Sequence, residues 1–366
     1  MPHPKDKAFL YRFPIYADGE TIERIADFAE AAPPADLQSR HLWPANPPTF
    51  ETKGAAIVTG EPYAAKGDGV SDDTRALRRA IEENEIVFLP KGHYLVSEPI
   101  DLKPNTKLIG VSAICSNICL QAPGAHFADP EHPEPLLRTA DSAAADNYLA
   151  FFSATIPRAM PGAYAFRHRS SPSVIRTCRF GFHHQIGDEE NRVRDLKRGG
   201  ALVLVSGNAG GQWHMHYEEQ PIKSENYTHL RIDSTRRPLD FYHLNIEHAF
   251  CGAQMEIRNA ENIRIFGYKT ERNSVVLRIA GSRNIALYGY GGNATAFPGG
   301  FLIDLVDSSG ILLASLVDQG RIAGDDYDNV FGIGVPPSQW SMLRERLGER
   351  ELRTLPGERP ACYWRR

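Results

Sequence analysis

The 366-residue chain is short of several things that would declare a class at once. It holds five cysteines, Cys115, Cys119, Cys178, Cys251 and Cys362, an odd and scattered set that makes no disulfide framework. Cys115 and Cys119 are near neighbours, but no second Cys or His pair follows in metal-site spacing, so most of the cysteines read as buried thiols. The formal charge of −4 is small and lacks the positive field that nonspecific nucleic-acid binding needs. No apolar run approaches the length of a membrane-spanning helix. The opening MPHPKDKAFLYRFPIYADGE lacks the apolar core of a secretory leader. The chain therefore reads as cytoplasmic, or as written without its leader, and localisation stays open. Lys66-Gly67-Asp68-Gly69 lacks the Gly-Lys-Ser/Thr ending of a phosphate loop, and no cofactor is expected.

What is present is a loop-rich β pattern. The apolar share is 42%, and glycine and proline together supply 57 residues (31 + 26). The stretch from Tyr63 to Gly110 is the most informative. A Gly/Asp turn leads into an amphipathic helix that Ser71, Asp72 or Asp73 can cap, with Leu77, Ala80 and Ile81 as its apolar stripe. Short strands follow at Ile86–Leu89, Tyr94–Val96 and Lys107–Ile109, each bounded by turn residues. One helix followed by many short strands fits a β-solenoid with a plugged end.

Further along there is a repeat. Asn262-Ile-Arg-Ile-Phe-Gly-Tyr268 recurs as Asn284-Ile-Ala-Leu-Tyr-Gly-Tyr290, an offset of 284 − 262 = 22 residues, with a weaker copy at Gly310-Ile-Leu-Leu-Ala. That period fits one turn of a parallel β-helix, with coils stacked at ~4.8 Å. It predicts columns of Ile263 over Ile285, Ile265 over Leu287, Phe266 over Tyr288 and Tyr268 over Tyr290. Strand alternation puts Tyr268 and Tyr290 on the same face as Phe266 and Tyr288. There they read first as ladder packing and second as a platform for sugar rings.

The expected organisation is an N-terminal arm or cap at residues 1–60, with a short helix at Thr21 to Ala31. A single-stranded right-handed parallel β-helix follows at 61–335, with long loops at about 125–200. Residues 336–366 are expected to form a C-terminal helix and tail that cover the last coil. The fold class is all-β.

Cleavage of a sugar chain requires an acid for the leaving oxygen and a second carboxylate for water or the anomeric carbon. Glu247 and Glu271, separated by 271 − 247 = 24 residues, fall on neighbouring coils at strand ends. One coil on stands Asn293, after Gly291 and Gly292, whose lack of side chains would let a ligand approach the backbone. His248 reads as an orienting or turn residue. Trp213 and Tyr217 read as cleft-lining. His214, His216 and Glu218 alternate as a metal set would, but the cleft-lining reading is preferred and no metal site is assigned. Asp325, Asp326, Asp328 and Asn329 read as an exposed acidic loop rather than a calcium site.

The GDGVSDDT turn and FLPKGHYLV strand resemble the opening of the pectate-lyase-like superfamily of right-handed parallel β-helices. The Glu-His pair at Glu247-His248, the aromatic-x-x-x-x-Glu run ending at Glu271 and the YGYGGN run ending at Asn293 resemble the second β-helix of glycoside hydrolase family 55. That resemblance implies an inverting β-1,3-glucanase-like hydrolase, with Glu271 as general acid and Glu247 positioning water. Tyr268, Tyr290, His248, Arg272, Asn293, Trp213 and Tyr217 would then meet the polysaccharide or oligosaccharide. Two departures stand out. That family joins two β-helices, of which one clear copy is present. The segment between the glutamates is usually Trp- and Gly-rich in that family, and here it is AFCGAQMEIRNAEN.

Two further readings compete. A lyase or epimerase on a uronic-acid polymer would use Arg272, Lys269 or His248 as base. A non-catalytic β-helix would bind glycans only. No Asn-Thr-Asp or Gly-His-Gly is present, which disfavours the polygalacturonase-like hydrolases. No nucleic-acid or membrane partner is expected, and homo-oligomer formation is left open.

Overall fold

The computed structural model describes residues 14–22, 38–44, 46–121, 125–158, 160–183, 194–195, 199–218, 222–318 and 334–366. The chain winds into a right-handed parallel β-helix. Its described strands form sheets of 13, 10 and 5 strands, with a short three-stranded one beside them. The 22-residue repeat sets the register as the sequence predicts. Ile263 pairs with Ile285, Ile265 with Leu287, Phe266 with Tyr288 and Tyr268 with Tyr290, and Ile311 and Leu313 extend the first two columns. These aliphatic columns are buried, each side chain contributing about 1.5–3 kcal/mol of hydrophobic stabilisation.

The corner between two of the sheets is made by one left-handed residue per coil. Phe151, Thr177, Met215, His243, Gly267, Gly289 and Ser315 all have φ between 51° and 83°. Such a residue resets the in–out alternation. Phe266 points out, Gly267 turns the chain, and Tyr268 points in. This overturns the alternation argument for Tyr268 and Tyr290, which are buried at 2% and 3%. The same corner at Met215 sends His214 outward and His216 inward.

The helix Thr74–Glu83 plugs the first coil through Leu77, Ala80 and Ile81. Its entry differs in detail from simple capping. Asp72 accepts the Thr74 amide at 2.9 Å. The Asp73 carboxylate instead accepts the Lys66 and Gly67 amides at 2.6 and 2.9 Å, tying the Gly/Asp turn to the helix start.

Three expectations fall differently. Residues 134–182 are not long loops: strands from Glu134–Thr139 to Arg179–Phe182 build further coils there. Several of these strands are buried on both faces, as at Ser153–Ile156 and Ala163–Phe166, so they carry no in–out alternation to read. The C-terminal helix is also absent. Ser341–Leu347 and Arg350–Arg353 form an antiparallel hairpin, its first strand parallel to Phe301–Val306. Arg344 donates to the buried Asp304 carboxylate at 3.0 and 2.9 Å, so the charges that resembled a helix face are cross-strand partners. Of the Thr21 to Ala31 helix, Thr21 and Ile22 lie in a strand, and the rest lies outside the described residues, as does the acidic loop at Asp325.

The N-terminal segment straps the solenoid. Ile15–Ala17 pairs with Cys362–Arg365 at the C-terminal end, whereas Ala56–Ile57 pairs with Val87–Phe88 near the first coil. Between them Trp43 stacks on His214 at 3.9 Å, starting an outer ladder of His214, Tyr242, Phe266 and Tyr288 with ring centroids 4.6–5.1 Å apart. His41 meets Tyr242 and Phe266 edge-on.

Three interior histidines are held neutral. Burial lowers His168 and His216 to about 4 and His229 to about 3. His168 Nδ1 accepts the Trp213 indole N–H, a bond the charged ring could not make. Their folded pKa values lie below the unfolded value near 6.5, so the unfolded chain takes up protons first as pH falls. Their stabilisation is complete above about pH 6.5 and is lost on the way down to pH 4, each adding about 1.4 kcal/mol per pH unit to the slope. The urea midpoint is expected to hold steady above pH 7 and to fall steeply between pH 6.5 and 4. A midpoint unchanged down to pH 4.5 would contradict neutral burial.

Candidate active site

Glu247 and Glu271 stand in one column of the solenoid. Asn245 pairs with Lys269; two residues further on, Glu247 stands just past the end of its strand and Glu271 lies within the other, where it pairs with Asn293 on the next coil. Successive left-handed residues, His248 at φ 71° and Arg272 at φ 80°, turn the chain immediately after each glutamate.

One ammonium joins the pair. Lys269 Nζ donates to Glu247 Oε2 in a short contact and to Glu271 Oε1 at 2.6 Å. His248 Nε2 lies 3.0 Å from Glu271 Oε2 and 3.9 Å from Glu247 Oε1. Asn293 Nδ2 donates to Glu271 Oε1 at 3.3 Å. The backbone is pinned from behind: Gln254 Nε2 donates to the Glu271 carbonyl at 2.8 Å, and His229 Nε2 lies 3.0 Å from the Glu247 carbonyl. The Glu247 side chain is 4% exposed and that of Glu271 13%, while Lys269 reaches 39%. Glu271, Lys269 and Asn293 thus form the mouth, with Glu247 beneath.

The two carboxyls differ electrostatically. Burial raises Glu247 above the ordinary carboxylate range, with Lys269 pulling the other way. The His248 contact, reinforced by Lys269, draws Glu271 down to about 2. Burial works against the charge on Lys269, but the two carboxylates outweigh it and hold the ammonium protonated. Ligand-type atoms of Glu247, His248 and Glu271 lie within 4.8 Å of one another, a spacing that could hold a metal ion. Lys269 already supplies the cation between the carboxylates.

The other expected site residues divide. His248 and Asn293 join the cluster. Arg272 does not reach the surface: it is 1% exposed, its guanidinium lies 4.9 Å from the Phe250 ring, and burial brings it down to about 9. Trp213 is a core residue at 1% exposure, and Tyr268 and Tyr290 are core as well. The Tyr268 hydroxyl donates to the Val276 carbonyl and the Tyr290 hydroxyl to Asp318. None of these three is a platform for sugar. Tyr217 is 37% exposed and rims a groove. The His214, His216 and Glu218 set does not assemble, because the Met215 corner separates the histidines and Glu218 packs over Gly181.

Sequence reasoning underused Lys269 and missed Asn245 and Gln254. Lys269 stands two residues before Glu271, and that spacing on an extended strand was the available signal. The Gly291-Gly292 pair has a different reason from the one expected. Gly292 has φ 145°, and a Cβ there would sit 1.9 Å from the Thr270 carbonyl of the preceding coil. Its missing side chain admits a neighbouring backbone, not a ligand. Gly292→Ala is expected to cost at least about 1–3 kcal/mol from backbone strain alone, read as a lower melting temperature. An unchanged melting temperature would contradict this packing.

Comparison with known proteins supplies relatives. Residues 61–130 match the family model described as rhamnogalacturonase A/epimerase, pectate lyase-like. Over 272 residues the chain is 23% identical to a glucan 1,3-beta-glucosidase of Cochliobolus carbonum, covering 70% of this chain and 31% of that protein. Over 53 residues it is 49% identical to the pre-neck appendage protein of Bacillus phage phi29, covering 14% of this chain and 6% of that protein. The chain spans less than a third of the length of these curated relatives. Among solved structures it aligns with the enzymatically active domain of tailspike protein 2 of bacteriophage CBA120. The TM-score is 0.49 at 13% identity, covering 79% of this chain and 46% of that one. With its in-register parallel coils, the chain is a right-handed parallel β-helix protein whose opening is similar to pectate-lyase-like proteins and whose longer stretch is similar to a glucan 1,3-beta-glucosidase.

Proposed function

We propose that this chain is a carbohydrate-active enzyme, a glycoside hydrolase that cleaves a β-glucan, with Glu271 and Glu247 sharing the acid–base work. The observation that carries the reading is two carboxylates stacked one coil apart beneath a single ammonium, on a face that reaches solvent. The relationship to glucan 1,3-beta-glucosidases supports the substrate class.

Glu271 is the carboxylate at the mouth, and we give it the proton-donating role. Glu247 lies beneath and would orient water. In the unliganded protein Glu271 is ionised, so it must regain a proton before it can give one. His248 and, after it, Lys269 oppose that step. A sugar whose hydroxyls draw the ammonium away raises the Glu271 pKa as it binds. An inverting pair needs roughly 6.5–9.5 Å between carboxyl groups, and one oxygen of each glutamate lies within 4.8 Å of the other, so on this reading the pair separates when sugar binds.

The lyase alternative fits less well. Its base would be Lys269, which two carboxylates keep protonated, Arg272, which is buried, or His248, whose Nε2 is engaged with Glu271 at 3.0 Å.

Glu271→Gln is expected to lower kcat on a β-1,3-glucan by about 10²–10⁴-fold, the range for losing a general acid. Undiminished turnover would sink the assignment. Lys269→Met removes a cation that depresses the Glu271 pKa, so that pKa rises. If Glu271 works protonated, the alkaline limb of kcat/KM moves to higher pH. If the acid limb moves instead, Glu271 works ionised and the two glutamates exchange roles.

A further inference from the structure

The carboxylate pair has a second cation beside it, and that cation makes no hydrogen bond. Arg272 follows Glu271 in the chain, at the left-handed turn that ends the column. It is buried, whereas Lys269 reaches solvent. The Nε, Nη1 and Nη2 atoms of Arg272 meet no acceptor at hydrogen-bond distance among the described residues. Its guanidinium lies against the Phe250 ring, 4.9 Å away. A buried guanidinium without acceptors is costly, and opposite charge close by is what keeps it. That charge is Glu271 and Glu247, which work against burial to hold Arg272 protonated.

Counting charge shows what Arg272 adds. Two carboxylates, Glu247 and Glu271, face two cations, Lys269 and Arg272. The other titratable groups beside them are His248, 3.0 Å from Glu271, and His229, which burial holds neutral with its Nε2 3.0 Å from the Glu247 carbonyl. The charges of the pair and its two cations cancel. On the hydrolase reading, sugar draws Lys269 away and Glu271 takes up a proton. One carboxylate and one cation then remain, and they still cancel. Without Arg272 the remaining charge would be that of Glu247 alone, which lies deeper than Glu271. Burial disfavours a lone carboxylate, so the proton would go to Glu247 and the two roles would reverse.

We propose that Arg272 is a positioning residue of the pair, the fixed counter-charge that keeps the deeper glutamate, Glu247, ionised after Lys269 has left. Lys269 is the mobile cation that substrate displaces, and Arg272 is the permanent one. This inference rests on the hydrolase reading for the displacement of Lys269, and its first test needs no turnover.

That test is a pH titration of the glutamate side chains by carboxyl-carbon NMR, with the Glu247 resonance identified by its loss in Glu247→Gln. Lys269→Met removes the mobile cation, as sugar is proposed to do. Losing a second cation disfavours the carboxylate, so its pKa rises. Adding Arg272→Met to Lys269→Met is therefore expected to move the Glu247 midpoint up by about one pH unit or more. Arg272→Lys in its place is expected to return the midpoint to that of Lys269→Met. A merely structural Arg272 would change the melting temperature and leave the midpoint where it was. With β-1,3-glucan as substrate, Arg272→Met alone is expected to move the acid limb of kcat to higher pH, a loss of about tenfold on the acid side. A Glu247 midpoint that ignores Arg272→Met, or that Arg272→Lys fails to restore, overturns the proposal. If the wild-type protein cleaves no glucan yet the midpoint shifts and Arg272→Lys restores it, the counter-charge stands and the hydrolase reading fails. If glucan is cleaved and neither the midpoint nor the acid limb moves, the reverse holds.

Discussion

In-register stacking of parallel coils is the constraint on which everything else in this molecule depends. Along the strands, backbone amides and carbonyls pair with the coils on either side, so a strand residue's neighbours follow from the register. That is why Glu247 and Glu271, far apart in an arbitrary fold, stand in one column. It is also why Asn245, Lys269 and Asn293 arrive at the same place. The site needs no special loop to assemble it. It is a consequence of the repeat, sharpened by the left-handed turns at His248 and Arg272 that end the column on both coils.

Stacking also concentrates charge. Columns place like beside like, and two carboxylates one coil apart would repel unless something intervened. Lys269 is that intervention, and it makes the pair asymmetric: the buried Glu247 is pushed up, and the outer Glu271, held also by His248, is pulled down. The resting arrangement is therefore a closed ion cluster. On our reading, sugar opens it. The interior obeys the opposite logic, with His168, His216 and His229 kept neutral because burial costs their charge more than the backbone contacts beside them return.

Much of this was legible in the sequence, and the misses have physical causes. The helical plug, the 22-residue register and the column holding both glutamates follow from local pattern. Tyr268, Tyr290 and Trp213 were misplaced because period-2 alternation assumes a straight strand. The left-handed corners at Gly267, Gly289 and Met215 shift the phase by one, and Met215 carries no sign of it in its side chain. The C-terminal strand Ser341–Leu347 was misread as a helix because its arginines pair across the sheet, with Asp304, rather than along the segment. The coils between Glu134 and Phe182 are not legible because several of their strands are buried on both faces and show no alternation.

The central claim is that Glu247 and Glu271 act as one unit. A double-mutant cycle on β-1,3-glucan cleavage tests it most directly, comparing Glu247→Gln, Glu271→Gln and the double variant by kcat/KM. The account predicts strong non-additivity, with the double variant little worse than the poorer single one. Losses that add in free energy would show two independent residues and contradict it.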